Sequence, residues 1–306
     1  MIHSVATPWA WAGFLALVLA LLALDLGVFH REDRAVGTRE ALLWTVVWVG
    51  VALAFGGVVW WMSGPGDALD YLTGYLVEKS LSVDNLFVFA VVFGALGIPA
   101  ALQHRVLYWG ILTALVLRGL MIWAGVALLA RFGWLLYVFG GFLLVTGVRL
   151  AFSGEGERHP EQNPAYRVLR RVIPSTPRLE GHRFFVREGG RLLATPLFLA
   201  LALVEISDVV FALDSIPAIF GITLDPFIVF TSNVFAILGL RSLYFALAGM
   251  LRRFSALKYG LAAVLAFIGA KMLAEPWVHV PPAASLAVVL GLLGASVLVS
   301  ALRSRR

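Results

Sequence analysis

Long uninterrupted apolar stretches constrain the fold of this chain more than any other feature. About 20 apolar residues are enough for a helix to cross the hydrocarbon core of a bilayer. About nine segments qualify, at residues 9–29, 41–62, 71–97, 106–130, 134–152, 193–221, 227–251, 257–274 and 283–302. Because 60% of the residues are hydrophobic and only 14% are charged, a water-soluble particle of this size could not bury them. The sequence therefore predicts an all-α polytopic membrane protein.

The basic residues of the connecting loops predict how the chain is oriented. With nine spans, the loops that alternate onto one side carry most of the Lys and Arg residues. Cytoplasmic loops carry this excess, so we expect the N-terminus outside and the C-terminus in the cytoplasm, in the plasma (inner) membrane of a bacterium. The net charge of +6 is expected to meet anionic lipid headgroups rather than nucleic acid.

Two groups of three spans share an ordered set of polar landmarks. Glu78, Asp84 and Asn85 in the third span match Asp208, Asp214 and Ser215 in the sixth, with the same spacing. Two later matches follow in order, Leu117-Arg118-Gly119 with Leu240-Arg241-Ser242 and Gly147-Val148-Arg149-Leu150 with Gly269-Ala270-Lys271-Met272. Spans three apart cross the membrane in opposite directions, so spans 3–5 and 6–8 are predicted to form an inverted-topology repeat. Transporters with such repeats bind their substrate near the bilayer midplane.

The repeat divides the chain into five predicted parts. Two N-terminal helices occupy residues 1–68, and the first three-helix repeat occupies residues 69–152. A basic cytoplasmic loop at residues 153–192 leads to the second repeat at residues 193–275. The last transmembrane helix and a basic tail fill residues 276–306.

Carboxylates inside the spans are the candidate functional residues. They are Glu78, Asp84, Glu205, Asp208 and Asp214, with Asp25 as an accessory candidate near the inner end of the first span. Each charge costs about 2.5–3.5 kcal/mol at the centre of a membrane helix. They are therefore expected to face the bundle interior, where they pair with cations, hold protons or bind a metal. The candidate charge-balancing cations are Arg118, Arg241 and Lys271.

Two interpretations of these carboxylates remain open. In the first, each repeat closes as a structural ion pair, for example Asp84 with an arginine. In the second, the five carboxylates join the oxygens of Asn85 and Ser215 in a hard ligand set that suits Mn²⁺, Mg²⁺ or Ca²⁺. Asp208 and Asp214 are six residues apart, about 120° around a helix, so they could face one ion only from a broken helix. Gly94, Gly97, Pro99, Pro196 and Pro217 are the candidate breaks.

Three segments carry a resemblance to a known family. EKSLSVDNLFVF, TPLFLALALVEISDVVFALDSIPAIFGIT and FTSNVFAILGLRSLYF resemble the signature blocks of the TerC family, particularly its Alx-like branch, and the resemblance runs from about Leu69 to Ala274. It implies a role in divalent metal homeostasis, chiefly Mn²⁺ export, with links to Ca²⁺ and to tellurite resistance. It also implies kinship with LysE-like transporters, and it places the family's intramembrane acidic positions on the five carboxylates above.

The sequence therefore predicts a transporter rather than an enzyme. The expected cargo is a divalent cation, Mn²⁺ before Ca²⁺, with proton exchange as an option and no tightly bound cofactor. No HExxH or GxSxG motif is present. The alternative is a membrane scaffold or insertion partner, bound to other membrane proteins, whose intramembrane acids are only structural.

Overall fold

The computed structural model describes residues 4–29, 37–152, 169, 171–188, 190–247 and 257–303. Five helices precede a short hairpin: α1 Pro8–Phe29, α2 Thr38–Ser63, α3 Pro65–Ala95, α4 Ala100–Arg131 and α5 Leu135–Phe152. The hairpin pairs β1 Phe185–Glu188 with β2 Arg191–Ala194. Five more helices follow it: α6 Pro196–Phe220, α7 Pro226–Leu238, α8 Leu240–Leu247, α9 Leu257–Ala274 and α10 Pro282–Arg303.

These helices confirm the predicted class of an all-α polytopic membrane protein. Six described segments are long and apolar enough to cross a membrane: 38–63, 100–131, 135–152, 196–220, 226–247 and 282–300. The segment 226–247 contains both α7 and α8. When these two helices are counted as one span, the ten helices given above correspond to the nine predicted spans. The largest differences are early starts, at Pro65 for α3 and at Ala100 for α4. Pro65 starts a helix well because it follows Gly64, whose φ of 97° makes a sharp turn that glycine tolerates.

The main contacts between the core helices are related by exchange of the two predicted repeats. Helix α3 packs against α6 and α5 packs against α9, while α4 contacts α6 as α7 contacts α3. Exchanging α3 with α6, α4 with α7 and α5 with α9 reproduces these four contacts, whereas the weaker contacts of α4 with α5 and of α6 with α9 are not reproduced. This pattern supports an inverted repeat, which remains a prediction.

Glycines allow α5 and α9 to approach until their backbones touch. A Cβ atom on Gly147 would lie 2.7 Å from the carbonyl oxygen of Ala262, and one on Gly269 would lie 2.6 Å from the carbonyl oxygen of Gly140. Small residues at helix crossings are typical of membrane proteins, where van der Waals packing replaces the hydrophobic effect. Both glycines belong to the landmarks matched in the sequence.

The expected helix break is not where the prolines and glycines predicted it. Helix α6 continues through Pro217, and Gly94 lies inside α3. Pro217 is close to the end of α6, so it removes few of the hydrogen bonds of that helix. The break occurs instead at Gly239, between α7 and α8.

The basic loop contains strands, although the apolar pattern predicted none. Hairpin β1–β2 is held to the start of α6, where the Thr195 hydroxyl donates to the carbonyl of Arg183 at 2.7 Å. The Arg105 guanidinium at the start of α4 lies 5.5 Å from the ring centre of Phe184. The hairpin therefore covers one end of α4 and α6. Residues 153–168 of this loop lie outside the described part of the chain.

Candidate functional site

A buried arginine joins two acidic helices at the centre of the bundle. Arg118 of α4 is 2% exposed. Its Nε and Nη2 atoms donate to Asp208 Oδ2 at 3.0 Å and Oδ1 at 2.8 Å, and its Nη1 atom donates to Glu78 Oε1. The planar guanidinium suits this two-pronged contact with a carboxylate. Arg118 therefore fixes α3 and α6 to each other; we call it, with Glu78 and Asp208, the arginine hub.

The hub pairs Glu78 with Arg118 inside the first predicted repeat and also joins that repeat to Asp208 of the second. Glu78 and Asp208 are the carboxylates that the sequence aligned with each other, and they share one arginine. Two amides complete the hub. Asn85 Nδ2 donates to Asp208 Oδ1 at 3.3 Å, and Asn233 Oδ1 accepts from Arg118 Nη1 at 3.5 Å. These contacts are the kind that the structural interpretation expects, with a different pairing.

Glu205 lies beside the hub and has no hydrogen-bond partner among the described residues. Both of its carboxylate oxygens are buried, and no described residue donates a hydrogen bond to them. Glu205, Asp208 and Arg241 supply the charged lining of a cavity of about 20 Å³. Its apolar lining comes from α3, α4, α6 and the α7–α8 break. A volume of this size holds a single water-sized sphere.

The approach of α4 keeps one side of Glu205 uncrowded. Gly110 faces this carboxylate, and a Cβ atom placed there would lie 3.5 Å from Oε1. Any residue larger than alanine at this position would fill space next to the carboxylate. The cavity therefore depends on a small residue at Gly110.

Buried hydroxyl and amide oxygens without donors surround the hub. Ser80 and Ser207 donate to carbonyls four residues earlier, at 2.6 and 2.8 Å, as helical serines commonly do. Ser82 and Ser215 are buried and have no hydrogen-bond partner among the described residues. The same holds for Glu78 Oε2 and Asn85 Oδ1. Glu78, Ser82 and Asn85 share one face of α3, as Asp208 and Ser215 share one face of α6, so these atoms point into the bundle.

The remaining predicted residues fall in three places. Arg241 is buried and reaches the Glu205 cavity. Asp214 is half-buried and is not brought to the hub, because α6 is unbroken. Lys271 does not balance charge there either, since it lies in the last turn of α9 with Asp70 and Glu275 as its electrostatic neighbours. The side chains of Asp25 and Asp84 lie outside the described part of the structure.

The described carboxylates do not form a ready-made metal cluster. Among the side chains that the structure describes, no three His, Cys, Asp or Glu residues are placed to hold one ion. Glu205 and Asp208 supply two carboxylates to the cavity, and both oxygens of Asp208 already accept from Arg118. A cation there would need neutral oxygens or further acids to complete its shell.

Sequence reasoning missed three polar residues of this region. Ser82 is one turn from Glu78, a spacing that could have singled it out. Asn233 is a lone amide in an apolar span, which is itself a signal. Lys79 donates to the carbonyl of Ala236 at 3.1 Å, and its charge inside a span should have been counted with the others.

Comparison with known proteins identifies the family. Residues 63–306 match the model of the integral membrane protein TerC family. An uncharacterized membrane protein of Myxococcus xanthus is 61% identical over 302 residues, covering 99% of this chain and 95% of its own. A protein of Escherichia coli strain K12, named as a proposed membrane-bound redox modulator, Alx, is 49% identical over 98% of this chain and 96% of its own.

A relative in Rickettsia bellii, also an uncharacterized membrane protein, is 40% identical over 96% of this chain and 97% of its own. No solved structure matches the chain. The residues that match the family model include the whole arginine hub and the whole lining of the Glu205 cavity. The relatives cover nearly the full length of the chain. The chain belongs to the TerC family of integral membrane proteins.

Proposed function

We propose that this chain transports a divalent cation across the plasma membrane of a bacterium, with Mn²⁺ export as the favoured activity. The observation that carries the proposal is Glu205, whose two buried oxygens accept no hydrogen bond from the described part of the chain and lie beside a cavity of about 20 Å³. A carboxylate inside a membrane is costly unless something compensates its charge. A bound cation would supply that compensation, and a proton would supply it when the cation leaves.

The charges of the site favour a cation over an anion. Glu78, Glu205 and Asp208 carry three negative charges, whereas Arg118 and Arg241 carry two positive charges. The site therefore keeps an acidic excess when all five groups are ionised. Oxygen donors without any cysteine suit Mn²⁺ or Ca²⁺ better than softer metals. The small cavity suits a dehydrated ion, which disfavours Mg²⁺ because it gives up its waters reluctantly.

The two groups of acids would have different tasks. Glu78 and Asp208 are held by Arg118 and would keep the two repeats in register. Glu205 has no such contact and would exchange between cation and proton. The unpartnered oxygens of Ser82, Asn85 and Ser215 would supply neutral ligands to an ion passing along the bundle. Transporters of inverted-repeat architecture place their ion sites in this way, between the repeats.

A scaffold or insertion role remains the second candidate. The arginine hub favours it, because Arg118 pairs with both hub carboxylates and joins two helices, as a purely structural role requires. The redox role in the names of the Alx relatives is a separate matter. Since the chain contains no cysteine, it could not contribute thiol chemistry to such a role.

Substitution of Glu205 separates the two candidates. Glu205→Gln removes one charge and breaks no described hydrogen bond or ion pair. If Glu205 binds the cation, the purified variant should bind Mn²⁺ at least about tenfold more weakly than the wild type, as measured by electron paramagnetic resonance of free Mn²⁺. Its thermal stability in detergent should be unchanged or higher, because a buried unpaired charge has been removed.

The matched control is Glu180→Gln, which makes the same change on an exposed loop residue. It should bind Mn²⁺ as the wild type does. Equal Mn²⁺ affinity for Glu205→Gln, Glu180→Gln and the wild type would reject the site. In that case the scaffold candidate would be preferred.

A further inference from the structure

At the break between α7 and α8, a side chain from another helix donates a hydrogen bond to a backbone carbonyl of α7. Helix α7 ends at Leu238 and α8 begins at Leu240, so the carbonyl of Ala236 loses its usual donor four residues on. Lys79 of α3 replaces that donor, with its Nζ 3.1 Å from the Ala236 oxygen. An ammonium group at the carbonyl end of a helix is favoured by the hydrogen bond and by the helix dipole.

Gly239 makes room for this contact. A Cβ atom at Gly239 would lie 2.8 Å from Lys79 Nζ and 3.1 Å from the Cβ of Trp48. Its φ of −86° is accessible to any residue, so the glycine is needed for space and not for backbone conformation. The break and the lysine therefore fit each other as one unit.

The same break carries residues of the Glu205 cavity. Ile237, Leu240 and Arg241 flank Gly239 and line the cavity with Glu205 and Asp208. The direction in which α8 leaves the break decides where the Arg241 guanidinium lies. Lys79 does not line this cavity, so it acts on the site through the backbone.

Helix α8 is held at several points. It packs mainly against α2, and the Tyr244 hydroxyl donates to Gln103 Oε1 of α4 at 3.0 Å, while the Tyr244 ring lies 5.7 Å from the ring of Phe93 in α3. These contacts fix the middle of the eight-residue helix. The ammonium contact lies at its N-terminal end, next to Arg241, where it sets the start of the helix.

We propose that Lys79 is a positioning residue, which caps the carbonyl end of α7 at the Gly239 break and thereby holds Arg241 at the Glu205 cavity. The part of this inference that concerns cation binding rests on the function proposed above. The part that concerns the position of α8 does not.

The test uses the absence of cysteine from the chain. Spin labels on Val46→Cys of α2 and Leu247→Cys of α8 report the distance between these helices by pulsed electron resonance. Lys79→Met keeps the length of the side chain but removes its charge and its donors. We expect it to broaden or shift the distance distribution and to weaken Mn²⁺ binding about 10- to 100-fold. Lys258→Met, the same change at the start of α9, should alter neither reading.

Chemical rescue separates the ammonium contact from general packing. In Lys79→Ala, added methylammonium should restore the wild-type distance distribution, whereas added Na⁺ should not. If Lys79→Met does not fold, Gly239→Ala tests the same contact with the lysine in place and should broaden the distribution.

The outcomes are distinguishable. The proposal would be overturned if Lys79→Met had the same distance distribution as the wild type. The same holds for an unchanged distribution in Gly239→Ala, where that variant is used instead. Equal broadening by Lys258→Met would also overturn it. If the wild type binds no Mn²⁺, the proposed function fails, and the label distances still decide the role of Lys79.

Discussion

At the scale of single residues, buried carboxylates occur in two different environments, the arginine hub and the Glu205 cavity. Glu78 and Asp208 are paired with a guanidinium, while Glu205 has no ion pair with any described residue. Removing one partner of a buried ion pair leaves an uncompensated charge, which costs more than the pair contributed. The hub should therefore respond to substitution through stability, and Glu205 through cation binding.

Arg118→Met tests the first half of this statement. The variant leaves Glu78 and Asp208 buried without a cation, and we expect the free energy of unfolding to fall by about 3–5 kcal/mol. Arg118→Lys should recover only part of the loss, because an ammonium lacks the planar fork. Unfolding in detergent followed by circular dichroism measures both, with Arg131→Met at the exposed end of α4 as the control. A wild-type midpoint for Arg118→Met would show that the hub is not structural.

The sequence located the charged residues of the hub but not their pairing. Because a charge inside a membrane is costly, the sequence alone singles out Glu78, Arg118 and Asp208. Which acid meets which arginine depends on how α3, α4 and α6 cross, and spacing along the chain does not contain that crossing. The same limit explains Lys271, which the sequence groups with Arg118 and Arg241 as a charge-balancing cation but which lies in the last turn of its helix.

At the scale of helices, α5 and α9 cross in direct backbone contact. A methyl group on Gly269 would meet the Gly140 oxygen at 2.6 Å and the Leu144 nitrogen at 2.7 Å. Backbone atoms cannot move aside as a side chain can, so the helices would have to separate.

Gly269→Ala should therefore lower the thermal midpoint of the protein in detergent by several degrees, since overpacking costs about 1–3 kcal/mol. Gly141→Ala is the matched control, because a Cβ atom there has no neighbour within 4 Å. Alanine also favours a helix over glycine, so the control should be neutral or slightly stabilised. Equal midpoints for the two variants would show that α5 and α9 are not in backbone contact.

The helix break shows where sequence rules are weakest. Proline signals a break, yet Pro217 lies near the end of α6, where few hydrogen bonds remain to be lost. Gly239 gives little signal, because glycine is common in membrane helices and its φ here is ordinary. The break depends on Lys79, which is distant in sequence.

At the scale of the whole molecule, three exposed tryptophans lie on one side of the predicted nine-span topology, whose orientation remains a prediction. Trp9, Trp61 and Trp277 are 86%, 87% and 82% exposed and lie near span ends that share the predicted outer side. Tryptophan is enriched at the membrane–water boundary, so these residues mark one interface. The nine-span count follows from hydropathy because apolar length and bilayer thickness are linked directly.

Single cysteines in this cysteine-free chain test the orientation. In intact cells, a membrane-impermeant maleimide should label Gly66→Cys and Val278→Cys, which lie on the predicted outer side. It should label Glu180→Cys only after the membrane is broken. Labelling of Glu180→Cys in intact cells would reverse the orientation, and with it the direction of transport.

If Glu205 binds the transported cation, ion flux measures its role most directly. Purified wild type and Glu205→Gln would be reconstituted in liposomes, and Mn²⁺ movement followed with a trapped fluorescent indicator, with and without an imposed pH gradient. We predict Mn²⁺ flux for the wild type that the gradient changes, and a loss of at least about tenfold for Glu205→Gln, as expected for a ligand. No flux from a folded wild type under either condition would contradict the proposed cation transport.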